Sequence, residues 1–433
     1  MKQPRASRLF LLLALVSLSL LLLLSGCGGE SPPDKTVSFA VFGDPAEFAA
    51  YQQLVSAFED AHPDIKIELS HIPGQGEYRQ RLATEFAGGD PPNVVLLNYR
   101  RFATFAAEGG LTPLGPYLES SEVIQPDDFY PITLQSFEYD EQLWCIPQNL
   151  SSLVVYYNRN LFDAAGLSYP ADDWTWDDFL TAARALTQDL DGDGQTDQYG
   201  AGISPKLFRL APFVWQNGGD IVDNPAAPSR LTLDTPESRA AFEWFVNLQV
   251  EEHVVPDAVA ESGESSESRF LNGTLGMYFN SRRGVPTYRT ISTFQWDVAP
   301  LPRKLQPAGI LHSDAYCLSA ATEDKESAWT FIEYANSVAG QTIVAQSGRT
   351  VPSLIAVAES PAFLSPDLPP ANSRVYLDTA PFIRGVPIMP GWVGVEKTVS
   401  EEIKKAFYGD ASIDEAIRQA TDLAQPYFDE NTP

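Results

Sequence analysis

The sequence predicts an α/β protein built as two lobes, and three observations carry that expectation. The chain has 433 residues, more than one core usually supports, so two domains are expected. Residues 37–97 alternate between strand-like and helix-like apolar periods, the order of a doubly wound sheet. A second α/β unit begins near Leu150. With 44% hydrophobic and 11% aromatic residues, the composition excludes a mostly disordered chain.

Residues 37–42 are a β-rich run ending at the turn Gly43-Asp44-Pro45. Phe48, Tyr51, Val55 and Phe58 then recur at helical spacing, which predicts a helix over 47–59. Pro63 breaks the pattern, and Ile65, Ile67 and Leu69 alternate as a strand. A helix is expected over 77–86, stopped by Gly88-Gly89, and residues 94–97 form a continuous apolar run, as in a buried parallel strand. In such sheets ligands sit beyond the carboxyl ends of the strands, here 43–47, 71–76 and 98–101. In the second unit residues 153–157 form a strand. Thr175 caps a helix running to about Gln188, with Asp177 and Asp178 in its first turn. Pro236 opens another helix, striped by Phe242, Phe245 and Leu248. Further strands are expected over 275–279, 296–298 and 316–318, and helices over 326–336, 395–408 and 413–424. The acidic, serine-rich stretch 261–268 reads as an exposed loop.

The first residues read as an export signal. Lys2, Arg5 and Arg8 precede an apolar run over 9–24, short for a membrane span of about 20 residues. It ends in Leu24-Ser25-Gly26-Cys27, which resembles the bacterial lipobox, where the cysteine is lipidated and becomes the first mature residue. Residues 1–26 would be the signal peptide and 27–35 a tether. No second hydrophobic span follows residue 30, so the chain is expected outside the cytoplasm, held to the membrane by lipid on Cys27. Losing Lys2, Arg5 and Arg8 takes the net charge from −28 to −31. Such an acidic surface argues against a nucleic-acid partner, whose phosphates need Lys and Arg, and repels an anionic membrane, so the lipid is needed. Three Cys and four His speak against zinc fingers and multi-haem proteins.

Three stretches then stand out: Trp144-Cys145-Ile146-Pro147, Tyr156-Tyr157-Asn158-Arg159-Asn160-Leu161-Phe162 and Trp174-Thr175-Trp176-Asp177-Asp178-Phe179. With 88–95, 215–220 and 297–302 they run in one order over about residues 37–425. The ordered set resembles the extracellular solute-binding proteins of family 1, the sugar-binding lipoproteins of ABC importers, including the maltodextrin-binding ones. The resemblance implies a periplasmic-binding-protein-like fold of type II. Each lobe would be a doubly wound sheet flanked by helices, and the hinge would be made of crossing strands. The crossings fall near 146–150, 312–316 and 350–353. Lobe one would be 36–147 plus 316–350, and lobe two 148–314 plus 353–433. The lobes would close over a carbohydrate by hinge motion, and the closed form would dock on the permease subunits. This is binding without catalysis, by a monomer that requires no cofactor.

A sugar site needs flat aromatic faces and planar polar side chains that can satisfy two hydroxyls. The resemblance points to Asp44 and Glu47 after the first strand. Asn98, Tyr99 and Arg100, with Arg101, follow the third. Gln148 and Asn149 lie at the first crossing, and Trp215 falls where relatives place a cleft aromatic. After Asn280, Arg282 and Arg283 stand where relatives often carry a stacking Trp. An Arg plane there could stack, bind hydroxyls or read a carboxylate or phosphate. His312 and Asp314 sit at the second crossing and Arg349 just before the third. Trp392 matches a stacking aromatic. The alternatives are an acidic sugar, glycerol phosphate or a polyamine, although the arginines oppose a cationic ligand. A surface glycoside hydrolase is the rival class. The sequence has no Gly-x-Ser-x-Gly, His-Glu-x-x-His or Walker pattern.

Two structural features complete the reading. Asp189, Asp191, Asp193, Gln195 and Asp197 occupy positions 1, 3, 5, 7 and 9 of an EF-hand-like loop, for which a structural Ca²⁺ and a plain turn are both open readings. Position 12 is Gly200, so the usual bidentate Glu is missing. Cys145 and Cys317 are placed by the resemblance on adjacent hinge-region strands, where a disulfide and two buried thiols are both open readings.

Overall fold

The computed structural model describes residues 35–430. The signal peptide and Cys27 lie outside the described residues. Among the described residues no helix is long and apolar enough to cross a membrane.

Two sheets organise the chain. In the first, the strand order is Ile65–Ile72, Lys35–Phe42, Val94–Asn98, Asp314–Ser319, Leu111–Thr112, and Cys145–Pro147 also pairs with Asp314–Ser319. The first three strands are parallel, which is the doubly wound order the early periods imply. Asp314–Ser319 joins antiparallel, so a late segment completes an early sheet. The second sheet runs Trp296–Ala299, Leu153–Asn158, Leu275–Ser281, Tyr199–Gly202. Its pairings are mixed, antiparallel across Leu153–Asn158 and parallel between Leu275–Ser281 and Tyr199–Gly202.

Each sheet carries its own aromatic core. Beneath the first, Phe39 meets Tyr51 edge-on at 5.9 Å and Phe331 at 5.0 Å. Beneath the second, Trp176 stacks on Trp244 at 4.2 Å and Phe213 lies 5.0 Å from the same ring. The helices over these cores begin where the caps imply. Thr175 and Asp178 form a reciprocal capping box on Trp176–Leu186. The Thr235 hydroxyl accepts from Ser238 N at the head of Pro236–Val250.

The expected loop at 261–268 is instead part of two short helices, Ala258–Gly263 and Ser266–Asn272. Asp257 and Ser265 cap them, and the Glu261 carboxylate accepts from both Ser266 N and Ser266 Oγ across the break. The polar residues that suggested a loop are the ones that start and join these helices.

Three segments run side by side between the sheets. Ser151 and His312 exchange backbone hydrogen bonds at 3.0 and 2.8 Å, Leu150 N donates to Val351 O at 2.7 Å, and Gln148 N donates to Asp314 O at 3.0 Å. Cys145 and Cys317, register partners on neighbouring antiparallel strands, are joined as a disulfide just before the first of these segments.

Candidate ligand-binding cleft

A cavity of about 1010 Å³ opens beside the crossing segments. It lies beyond the carboxyl ends of two parallel strands, since Phe42 and Asn98, the last residues of theirs, line it. Two smaller hollows, about 370 and 540 Å³, share no residue with the crossing segments. The volume is at the upper end of the roughly 300–1000 Å³ usual for small-ligand sites.

Of the residues singled out in the sequence, Glu47, Asn98, Arg100, Arg101, Asn149, Asn280, Arg283, His312, Asp314 and Arg349 line this cavity. Glu47 stands in the first turn of helix Pro45–Ala61 because Asp44 caps that helix, accepting from Ala46 N and Glu47 N at 3.0 Å each. Gly43 precedes them at φ +134, a conformation that favours glycine, and a Cβ there would lie 1.8 Å from Glu47 Oε2 and push that carboxylate aside. Arg349 forms ion pairs with both acids, 2.7 Å from Glu47 Oε2, although that oxygen receives no hydrogen bond of good geometry. Asn98 Nδ2 donates to Asp314 Oδ1 at 3.0 Å, and Asp314 N donates to Asn149 Oδ1 at 2.7 Å, so the crossing segments are cross-linked by side chains. Arg100 reaches over the cavity to Glu396 at 2.7 Å and lies 5.0 Å from the Phe208 ring.

Burial dominates the electrostatics here. It pushes the Glu47 carboxyl up to about 7, with the Arg349 guanidinium pulling the other way. Asp44 and Glu47 compete for that one guanidinium, so Glu47 is not fully repaid for lost hydration. Burial also raises Asp314. It drives the His312 imidazole well below its ordinary value, helped by Arg209, Arg100 and Arg283. His312 is therefore neutral at physiological pH, and its Nε2 is buried without a partner.

The Glu47 shift has a stability consequence. Its folded-state pKa lies above the unfolded one, so its contribution is complete below about 4.5 and is lost as pH rises through about 7. Relative to Glu47→Gln, the natural protein should lose about 3 kcal/mol between pH 4.5 and 8, from the roughly 1.4 kcal/mol carried by each pKa unit. Urea midpoints of both proteins across that range check this. A constant difference would show that Glu47 is ionised throughout.

Six expected contacts do not line the cavity. The Asp44 side chain is spent on the helix cap and Arg349. Tyr99 is fully buried, and its hydroxyl accepts from Val386 N. The Gln148 amide is paired with the Tyr51 hydroxyl. Trp215 is buried, donates to Asp220 Oδ1 at 3.1 Å and stacks under Arg384. Trp392 is 1% exposed as the first residue of helix Trp392–Phe407. Its neighbour Val393 reaches the cavity instead, because each helical residue turns the side chain by about 100°. Arg282 is fully buried. It donates to Gly348 O at 2.8 Å, Ser373 Oγ at 3.1 Å and Phe363 O at 3.3 Å, with the Phe363 ring 4.6 Å away.

A family model described as bacterial extracellular solute-binding protein matches residues 43–342. The chain belongs to this family. Among solved structures it resembles an ABC substrate-binding protein from Listeria monocytogenes in complex with cycloalternan. That match has a TM-score of 0.83 and 25% identity, and covers 91% of this chain and 98% of that one. A solute-binding protein from Thermotoga lettingae bound with α-D-tagatose matches at TM-score 0.79 and 20% identity, over 91% of this chain and all of that one. A mannitol-binding protein of Pseudomonas aeruginosa is 24% identical over 77% of this chain and 74% of its own length. The two-lobed fold of such proteins accounts for the two sheets and the cavity between them.

Within that fold several lining residues escaped the sequence reading. Tyr278 was readable, since it lies two positions before Asn280 on strand Leu275–Ser281 and so shares its face. Glu396, Lys397 and Ser400 follow Val393 at helical spacing on Trp392–Phe407. Lys206, Phe208 and Arg209 come from the start of helix Leu207–Gln216, which carried no turn or cap signal. Arg79 faces the cavity from helix Gln75–Gly88.

The EF-hand-like loop is exposed. Ligand atoms of Asp189, Asp191 and Asp197 lie within 4.8 Å of one another. Asp189 accepts from Gly192 N and Gly194 N, and Asp197 from Leu190 N, so the carboxylates also close the turn themselves. Asp193 and Gln195 are bound to each other at the rim. At position 12, a Cβ on Gly200 would lie 1.9 Å from Ala183 O, so no side-chain ligand can stand there.

Proposed function

We propose that this protein is the extracytoplasmic substrate-binding subunit of an ABC importer, and that it captures a carbohydrate in the 1010 Å³ cavity and hands it to permease subunits. The observation that carries the reading is the make-up of the cavity. Phe208 and Tyr278 offer ring faces, and Asn149 and Asn280 keep amide donors and acceptors beyond those used by Asp314 N, Tyr288 and Ser281, whereas the Asn98 amide is spent on Ser313, Asp314 and Arg100. Relatives whose names state a ligand support it, including an arabinooligosaccharide-binding protein of Halalkalibacterium halodurans, 26% identical over 46% of this chain. The division into lobes 36–147 plus 316–350 and 148–314 plus 353–433 makes the hydrogen-bonded segments the hinge. Glu47, Asn98, Arg100, Asn149, Asn280, Arg283, His312, Asp314 and Arg349 are among the ligand-facing residues. Lipid on Cys27 anchors the monomer, and the protein does no chemistry on its ligand.

A thermal-shift screen over mono- and oligosaccharides tests the reading. A ligand at 100 times its Kd should stabilise the fold by about 2.7 kcal/mol. If no carbohydrate raises the midpoint, the proposal fails. Recovered sugars should be unchanged, and product formation would reinstate a hydrolase. The same screen with added Ca²⁺, before and after chelation, tests a structural ion at Asp189, Asp191 and Asp197. An unchanged midpoint removes it.

A further inference from the structure

The chain as a whole has about half as many Lys and Arg as Asp and Glu, yet the cavity reverses that ratio. Eight of its 29 cationic residues line it, against five of its 57 acids. Two of the eight are neutralised, Arg100 by Glu396 and Arg349 by Glu47 and Asp44. Arg79, Arg101, Lys206, Arg209, Arg283 and Lys397 form no ion pair among the described residues, which leaves six cations facing Glu267, Asp314 and Glu401.

Lys206, Arg283 and Lys397 are exposed, but Arg101 and Arg209 are not merely solvated tips. Arg101 Nε and Arg209 Nε and Nη1 are buried without a hydrogen-bond partner. Arg209 and Arg100 each lie 5.0 Å from the same Phe208 ring. Burial and then repulsion from Arg79 and Arg100 bring Arg101 down to about 10, and burial with Arg283 and Arg100 does the same to Arg209. Like charges gathered in a partly dry cavity, with donors unspent, are stabilised by an anion brought in from outside. Guanidinium groups meet carboxylate and phosphate in a two-point geometry that a neutral hydroxyl cannot match.

We infer that the natural ligand is an anionic saccharide, a sugar whose uronate or phosphate group is received by Arg101, Arg209 and Arg283 while its ring lies against Phe208 and Tyr278. This rests on the carbohydrate reading above and narrows it. Arg209 and Arg283 are specificity determinants, and neutral His312 beside them adds no competing charge.

Calorimetry on the full chain tests this with three matched probes: a neutral oligosaccharide, an oligouronide of the same length, and a sugar phosphate. At least one anionic probe should bind about tenfold or more tighter than the neutral one, the scale of one charged hydrogen bond. Its affinity should fall as salt is raised. Arg283→Met, at an exposed position that cannot disturb the core, and Arg209→Met should each shrink the anionic-over-neutral preference by a similar factor. The better of the two anionic probes identifies carboxylate or phosphate. If the neutral sugar binds as well as both anionic ones, or if both Met variants keep the full preference, the inference is overturned and the carbohydrate reading stands. If no saccharide of any charge binds, the carbohydrate reading falls and takes this one with it.

Discussion

Replacing Arg282 by Met is expected to cost about 3 kcal/mol of folding stability while changing ligand affinity far less. The Arg282 guanidinium is fully buried and forms no ion pair among the described residues. It is held by Gly348 O, Ser373 Oγ and Phe363 O and lies over the rings of Phe363 and Tyr376, at 4.6 and 5.2 Å. Truncation strands at least two buried carbonyls, each worth about 1–3 kcal/mol when left unpaired, and Met refills only part of the volume. Urea midpoints measure the stability term, and calorimetry on the folded variant measures the affinity term. Arg283→Met gives the reverse profile, with an intact midpoint and weakened binding. If Arg282→Met abolished binding in a protein of unchanged stability, the guanidinium would have to serve the ligand.

That contrast between consecutive arginines shows where sequence reasoning ran out. Tyr278 and Asn280 alternate toward the cavity, and continued alternation would carry Arg282 there too. The strand ends at Ser281, however, and the 3₁₀ turn Arg282–Gly284 swings Arg282 inward and leaves Arg283 outside. A period can be read from sequence, but the residue at which it stops depends on what packs against the end. The same holds for Trp392, whose helix begins one residue too early for its ring to face the cavity. By contrast, the cap at Thr175, the helix start at Pro236 and the parallel run of the first three strands were legible, because each rests on neighbours in the chain, whereas Asp44, read as a turn and ligand residue, proves to be a helix cap. The basic character of the cavity was only half legible. Arg100 and Arg283 follow strands and could be placed, whereas Arg79 and Arg209 sit on helix faces whose orientation only tertiary packing decides.

Removing the disulfide should produce the second large effect. Cys145 and Cys317 are both fully buried and close a loop with a sequence separation of 172. Their Cα atoms are 4.4 Å apart across antiparallel partners, the spacing of a pair that exchanges no backbone hydrogen bonds, so the bridge adds a link where the ladder lacks one. It ties Cys145–Pro147, the last strand before the first crossing segment, to Asp314–Ser319, which runs on from the second. A loop of this length constrains the unfolded chain strongly, and the Cys145→Ser/Cys317→Ser double variant is expected to lose about 3–5 kcal/mol. Neither cysteine lines the cavity, so the folded double variant should keep its ligand affinity. Urea unfolding without reductant, compared with the natural protein before and after reduction, reads the loss. Equal midpoints in all three states would mean that strand packing alone holds this junction. A loss of binding without a loss of stability would mean that the bridge sets the geometry of the hinge rather than the free energy of the fold. The expected pattern, a weaker fold with an intact site, follows from the placement of the two residues, one strand away from the segments that carry Asn149 and His312 into the cleft.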